Sequence, residues 1–252
     1  MGHWYDSEGN PRHFIVGKNG NERATTLRDA RKENLFPSVT EILNMAAKPA
    51  LTNWLVEQAL LSALTLPKVE GESLDDYKKR AKQDSTEQTK QAMETGSAIH
   101  ADIEAVWKDE PAGTWREIAE LVKERTLEVT GFEDGWIAEK SFSHNGYGGM
   151  CDLHHPGGWV IDYKTKDFGP EDMGKKMAWD EHAMQLAAYA HGLGMANARM
   201  ANVFVSRNNP GLIVWHVWEE RADEGSHYEK FLCLLKYWQL TKNYQPNDDI
   251  PF

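Results

Sequence analysis

The sequence predicts a mixed α/β (α+β) protein: a central mixed sheet in β-β-β-α-β order, flanked by helices and preceded by a helical region. Three observations predict it. Apolar residues recur at helical spacing through the first half, the period changes to two near residue 136, and turn signals then cut the chain into short strands around one helix. With 252 residues and 40% apolar side chains the chain can bury one large core. One continuous domain is expected, in which residues 1–95 form a strand, an arm and a helical region packed on a core of residues 96–252.

The elements follow in order. "RHFIVG" and the Gly/Asn-rich "GKNGNER" read as a strand and turn, with a polar arm up to Pro37. "PSVTEILNMAA" and "PALTNWLVEQALLSAL" each begin near a proline and carry apolar residues at helical spacing. Ser73 caps a charged helix from Leu74, whose polar run leads into "GSAIHADIEAVWKD". "TWRE" matches a capping box, with Thr114 as N-cap and Glu117 reaching back, and starts a helix to about Val129. "WIAEKSFSH" then closes on Asn145-Gly146, the favoured two-residue hairpin turn, and "YGGMCDLHH" returns. "PGG" turns the chain into "WVIDYKTK", and a helix carrying "MAWDEHAMQLAAYAHGLGM" follows, ending at Gly192 or Gly194. "ARMANVFVSR", "NNPG" and "LIVWHVW" form a second hairpin, and an amphipathic helix spans roughly residues 224–242.

Composition removes several classes. The most apolar stretch, "LTNWLVEQALLSALTL", contains Asn53, Glu57 and Gln58 and is shorter than the roughly 20 apolar residues of a membrane span. "MGHWYDSEGNPRH" has no apolar signal region, so a soluble, cytoplasmic protein is expected. Cys151 and Cys233 are the only cysteines, too few for a disulfide framework, a CxxC zinc pattern or a Cys-ligated iron–sulfur cluster. A net charge of −11 argues against a broad basic coat for nucleic acid but leaves room for a local site. Arg12, Lys18, Arg23, Arg28, Arg31 and Lys32 cluster near the start, and Lys164, Lys166, Lys175 and Lys176 around one strand.

That strand, "WVIDYKTKDF", sets Asp162 and Lys164 among apolar residues. If His155 pairs with Trp159 across a three-residue loop, Asp152 lies opposite Asp162 with Cβ atoms about 4.5–5.5 Å apart. A four-residue loop would send the two carboxylates to opposite faces. Two facing acids repel, and burying them unpaired costs several kcal/mol. Lys164 supplies one charge against two, and a divalent cation would complete the balance; Mg²⁺ suits one or two carboxylates with waters and substrate phosphate. A lone D-x-K is more often an ordinary same-face pair. Three further features raise its weight. "GSAIHADIE" sets Gly96, His100 and Glu104 along one helix face, "QLAAY" sets Gln185 and Tyr189 four apart, and Gly148 and Gly149 precede Asp152. Asp152 and His154 also share a strand face, but a non-haem iron reading has no use for the other motifs. Trp54, Trp107 and Trp179 read first as core aromatics and only second as base-stacking platforms.

"GSAIHADIE", "GGMCD", "DYK" and "QLAAY", in that order, resemble the PD-(D/E)XK nuclease superfamily in its RecB-type and phage-exonuclease branch. The resemblance spans Gly96 to Tyr189, and the strand order extends it toward the C-terminus. It implies a restriction-endonuclease-like core in which His100, Asp152, Asp162 and the main-chain carbonyl of Tyr163 hold Mg²⁺ or Mn²⁺. Lys164 would orient the attacking water and help to deprotonate it. Glu104, Gln185 and Tyr189 would support the site or hold DNA, with Glu139 in a lesser role. Cys151 stands where the family often has proline, and the cysteine quartet of the iron–sulfur relatives is missing. Lys166, Lys175, Lys176 and Arg207 are placed to meet a DNA backbone. The expected activity is metal-dependent DNA hydrolysis, as an exonuclease of phage or bacterial replication, recombination or repair. A helicase, single-strand-binding protein or recombination protein would be the partner. The contrasting class is a non-catalytic DNA-binding or regulatory protein that keeps the fold.

Overall fold

The computed structural model of the chain describes residues 2–247. The N-terminal part comprises β1 (Trp4–Tyr5), a hairpin of β2 (Phe14–Val16) and β3 (Glu22–Ala24), α1 (Leu27–Glu33), β4 (Phe36–Pro37), α2 (Val39–Leu43) and α3 (Pro49–Thr65). Local chemistry sets most of these boundaries. Thr26 and Asp29 form a reciprocal capping box at the start of α1, and Asn34 ends it in the left-handed region at φ 53°. Ser38 accepts the Glu41 N–H at the start of α2, and Pro49 opens α3 where no N–H partner is needed. β1 pairs with β4, a short two-stranded element that neither local pattern announced.

Two long helices follow, α4 (Leu74–Trp107) and α5 (Arg116–Thr130). Ser73 accepts the Asp76 N–H and starts α4, which runs unbroken past residues 95 and 96. The expected Thr114 capping box does not form: Trp115 is the N-cap and has no side-chain cap bond. Instead the Asp102 carboxylate of α4 accepts the N–H groups of Gly113 (2.8 Å) and Trp115 (2.6 Å). A charge-assisted bond from a neighbouring helix outcompetes a local hydroxyl.

The sheet is built from β5 (Ile137–His144), β6 (Tyr147–His155), β7 (Trp159–Lys166), β8 (Arg199–Ser206) and β9 (Ile213–Val217), in that spatial order. Its pairs are antiparallel except β7–β8, whose parallel register needs a crossover. That crossover contains α6 (Asp180–Gly192), and α7 (His227–Lys242) closes the described chain. The β-β-β-α-β order is the one the sequence pattern predicts. Asn145 (φ 43°) and Gly146 (φ 88°) make the primed turn between β5 and β6.

Helices cover both faces of the sheet. On one, Ile42, Leu186, Phe231 and Trp238 from α2, α6 and α7 pack with Val160 and Met200. On the other, Ile99, Ile103 and Val122 from α4 and α5 pack with Ile161, Val203 and Val205. Trp4, Ala30, Leu35 and Val39 belong to the first cluster, so the N-terminal segment shares the sheet's core. Among the described residues no helix is long and apolar enough to cross a membrane.

Candidate active site

The loop between β6 and β7 decides the site. His155 pairs with Trp159, His154 with Val160 and Leu153 with Ile161, which is the three-residue-loop register. The next position in that register sets Asp152 against Asp162, but the ladder stops one step short of it. Beyond this point the Tyr163 N–H donates to Asp152 Oδ2 (2.8 Å) rather than continuing the ladder. The expected cross-strand pair of Asp152 and Asp162 on one face is therefore not formed: the acids sit where the strands part, Asp162 held with Lys164 and Gln185 of α6 and Asp152 beside His100 of α4.

Asp162, 2% exposed, is held on the α6 face. Lys164 Nζ lies 2.9 Å from its Oδ1 and 2.8 Å from its Oδ2, and also donates to Gln185 Oε1 at 3.0 Å. Gln185 Nε2 donates to the Tyr189 hydroxyl (2.8 Å), so the Q-x-x-x-Y spacing delivers a relay from α6 to the ammonium. Asn202 Nδ2 donates to Asp162 Oδ2 (2.8 Å), and the Trp218 indole N–H donates to Asn202 Oδ1 (2.9 Å). Sequence reasoning missed Asn202, although its signal was the one that marked Asp162: a polar side chain in the otherwise apolar strand "MANVFV". It lies directly beside Asp162 in the β7–β8 register.

Asp152 faces the α4 side. His100 Nδ1 is 3.7 Å from Asp152 Oδ2. Gly96, Ser97, His100, Ala101 and Glu104, one face of α4, line a cleft of about 680 Å³ with Glu139, Asp152, Thr165 and Arg207. Gly96 is required by close approach, since a Cβ there would stand 2.5 Å from Thr165 Oγ1. Burial, and then the charge of Asp162, push the Asp152 carboxyl up to about 6, while His100 and Lys164 pull the other way. Glu139 is left-handed at φ 52° and skipped in the β5–β6 ladder. Its carboxyl is pushed up to about 8 by burial, then by Asp152 and Glu104. Glu104 is paired with Lys108. Tyr163, the residue between the acids, turns its buried ring to α4, where Trp107 Nε1 donates to its hydroxyl (3.0 Å).

His100, Asp152, Asp162, Lys164 and Tyr163 thus share one neighbourhood, with Glu104 and Glu139 on its open side. The expected ligand set is not drawn to a point, because Asp162 is engaged by Lys164 and Asn202. Among the described residues no three His, Cys, Asp or Glu side chains converge as a metal cluster. The donor chemistry nonetheless fits a hard divalent cation: carboxylates with one imidazole, crowded enough that Asp152 holds its proton to about 6.

Of the cations expected to meet a DNA backbone, Lys166 and Arg207 are turned inward, whereas Lys175 and Lys176 stay exposed. Lys166 donates to the Met177 carbonyl (2.9 Å) and lies over the Phe204 ring. Arg207 pairs with Asp167 and donates to the Ala92 carbonyl of α4, bracing the helix that carries His100. Lys175 pairs with Asp172, and Lys176 lies 4.7 Å from the Trp179 ring centroid. Each found a nearer carboxylate, carbonyl or ring. His182, at the start of α6, is pushed down to about 3 by burial and then by Lys164, Lys166 and Lys48. Lys48 therefore joins Lys166 near Lys164, a neighbour that the sequence pattern did not display.

No protein-family model matches the sequence. No curated protein matches it either. Among solved structures, the fold is similar to an alkaline exonuclease from Laribacter hongkongensis, with TM-score 0.46 and 11% identity, covering 82% of this chain and 87% of that one. It is also similar to the protein SSO0001, with TM-score 0.35 and 15% identity, covering 78% of this chain and 89% of that one.

Proposed function

We propose that the chain is a metal-dependent deoxyribonuclease that acts as an exonuclease in phage or bacterial DNA metabolism. The observation that supports this reading best is the pairing of Asp162 with Lys164 at the point where β6 and β7 separate, beside Asp152 and His100. In this reading His100, Asp152, Asp162 and the Tyr163 carbonyl hold Mg²⁺ or Mn²⁺. The bound ion supplies charge relief at the phosphate and water acidified toward neutrality.

The chain's own residues do the rest. Lys164, held by Asp162 and Gln185, sets its positive charge where it would orient the attacking water and ease charge building on a phosphate oxygen. Its contacts to Asp162 and Gln185 fix where it stands, so positioning is its main role. Tyr189 holds Gln185, and Asn202 holds Asp162, so that neither partner of Lys164 is free to swing. Glu104 and Glu139 border the cleft on the side from which a phosphodiester would enter. A separate helicase, single-strand-binding or recombination partner would supply the DNA end.

The test incubates the purified protein with linear and closed circular DNA, with Mg²⁺, Mn²⁺ or chelator, beside a Lys164→Ala variant. Metal-dependent loss of linear DNA that the variant lacks supports the enzyme, and sparing of closed circles supports an exonuclease. Binding without cleavage by either protein overturns the catalytic reading. The non-catalytic alternative is favoured by one observation: the Lys164 ammonium occupies both Asp162 oxygens, and no three ligand side chains converge among the described residues.

A further inference from the structure

Lys175 and Lys176, the exposed members of the cation set that the sequence marked for DNA, both line a pocket on the α6 side of the sheet. Its volume is about 560 Å³, within the roughly 300–1,000 Å³ of small-ligand sites. Met177, Ala178, Phe204, Val214, His216 and Trp218 supply an apolar and aromatic lining. His216 meets Trp218 edge-on, with ring centroids 4.5 Å apart. At the rim Lys176 lies over the ring of Trp179, itself 36% exposed, while Lys175 is paired with Asp172. The acid that also lines the pocket, Asp180, is engaged by Lys230. The strand register ties this pocket to the site. Asp162, Asn202 and His216 are successive partners across β7, β8 and β9, and so are Lys164, Phe204 and Val214. Neighbouring strands stand about 4.8 Å apart, so His216 and Val214 lie about 10 Å from Asp162 and Lys164 on the same face. Side-chain contacts follow the same rows: the Trp218 indole donates to Asn202, Asn202 donates to Asp162, and Lys166 lies over the Phe204 ring.

We propose that this pocket is a nucleobase subsite. A base of a single DNA strand packs against His216 and Trp218, its phosphate stands at Lys176, and a neighbouring phosphate of the same strand reaches Lys164. This subsite rests on the deoxyribonuclease reading and makes its substrate an unpaired strand. The lining selects a flat aromatic group joined to an anion, because aromatic and aliphatic walls take the base and the ammonium groups at the rim take the phosphate. A purely apolar occupant would leave both lysines unmatched. A base inside a duplex is held in its stack and does not enter such a pocket, so the strand that fills it is single.

A short single-stranded oligonucleotide carrying a fluorescent base analogue tests this with the full chain in chelator, where metal-dependent cleavage is switched off. Its fluorescence is expected to fall saturably on binding, because the base stacks on aromatic rings. His216→Ala and Lys176→Glu should each weaken binding about tenfold, the scale of one lost stacking or charge contact. Val214→Trp, which fills the pocket without removing a polar group, should abolish the quenching. Lys176 is exposed, so that variant keeps the fold, and circular dichroism checks the other two. A wild type that does not quench overturns the proposal. So do variants that bind like the wild type, or displacement of the strand by inorganic polyphosphate as readily as by unlabelled oligonucleotide. Pocket binding without metal-dependent hydrolysis would sink the nuclease reading alone, and hydrolysis by a chain whose variants bind normally would sink the subsite alone.

Discussion

Replacing Glu139 with glutamine removes a charge that the fold resists. Burial first, then the charges of Asp152 and Glu104, move this carboxyl from 4.5 up to about 8, with Lys108 opposing. A carboxyl raised on folding binds its proton more tightly in the folded than in the unfolded chain. Its effect on stability is therefore absent below about pH 4.5, and the cost grows as pH rises toward 8 and is complete above it. At about 1.36 kcal/mol per pH unit, moving from 4.5 to about 8 sets a ceiling of about 5 kcal/mol. Glu139 borders an open cleft, where solvent screens part of this, so about 2–3 kcal/mol is expected. Glutamine keeps the shape and removes the ionisation. Urea denaturation of wild type and Glu139→Gln, with a chelator present, is compared at about pH 4 and about pH 9. The two proteins should match in acid, and the variant should be the more stable by about 2–3 kcal/mol in base. A gap that does not change with pH, or a variant that is less stable in base, would refute the reasoning.

Four other outcomes follow from the geometry. Gly96→Ala pushes α4 off Thr165 and should cost about 1–3 kcal/mol in a denaturation assay, and Thr165→Ala in the same chain should restore most of it. Asn202→Ala strips a buried donor from Asp162 and a buried acceptor from the Trp218 indole, so a loss of about 2–4 kcal/mol is expected, visible as a lower urea midpoint. At the start of α5, Asp102→Ala should lower stability by about 2–3 kcal/mol while Thr114→Ala stays within about 0.5 kcal/mol; equal effects would mean that the local cap operates after all. Asp162→Asn leaves Lys164 without its counter-charge and should destabilise the fold, whereas Asp152→Asn relieves a crowded acid and should leave stability at neutral pH unchanged or higher, with calorimetric Mg²⁺ or Mn²⁺ uptake lost.

Where a residue's partner lies within a few positions, the sequence carried it. The Asn145-Gly146 turn, the Ser73 cap and the spacing of His100 and Glu104 on one helix face depend on nothing distant. The "PGG" loop belongs with them, because its length chooses between two registers, although the ladder ends before Asp152 and Asp162 pair. What was illegible depends on a partner far along the chain. Thr114 looked like a cap until Asp102 arrived from another helix, and the inward turn of Lys166 and Arg207 needed the Met177 and Ala92 carbonyls to be in place. Asn202 is intermediate: its oddity in a strand was visible, but that it stands beside Asp162 required the parallel register across 40 residues.

The site's asymmetry explains why a carboxylate and an amine share β7. Alternate residues of a strand point to one face, so Asp162 and Lys164 meet on the α6 side with Asn202 behind them, and both Asp162 oxygens are satisfied within the protein. A fully buried acid can persist only on those terms. Asp152 is treated differently. It receives one backbone N–H and has an imidazole at 3.7 Å, and it opens onto the cleft with its charge unbalanced. One acid is thus a fixture of the fold and the other lines the cleft. The anchored pair behind Asp152 fixes where the Lys164 ammonium stands.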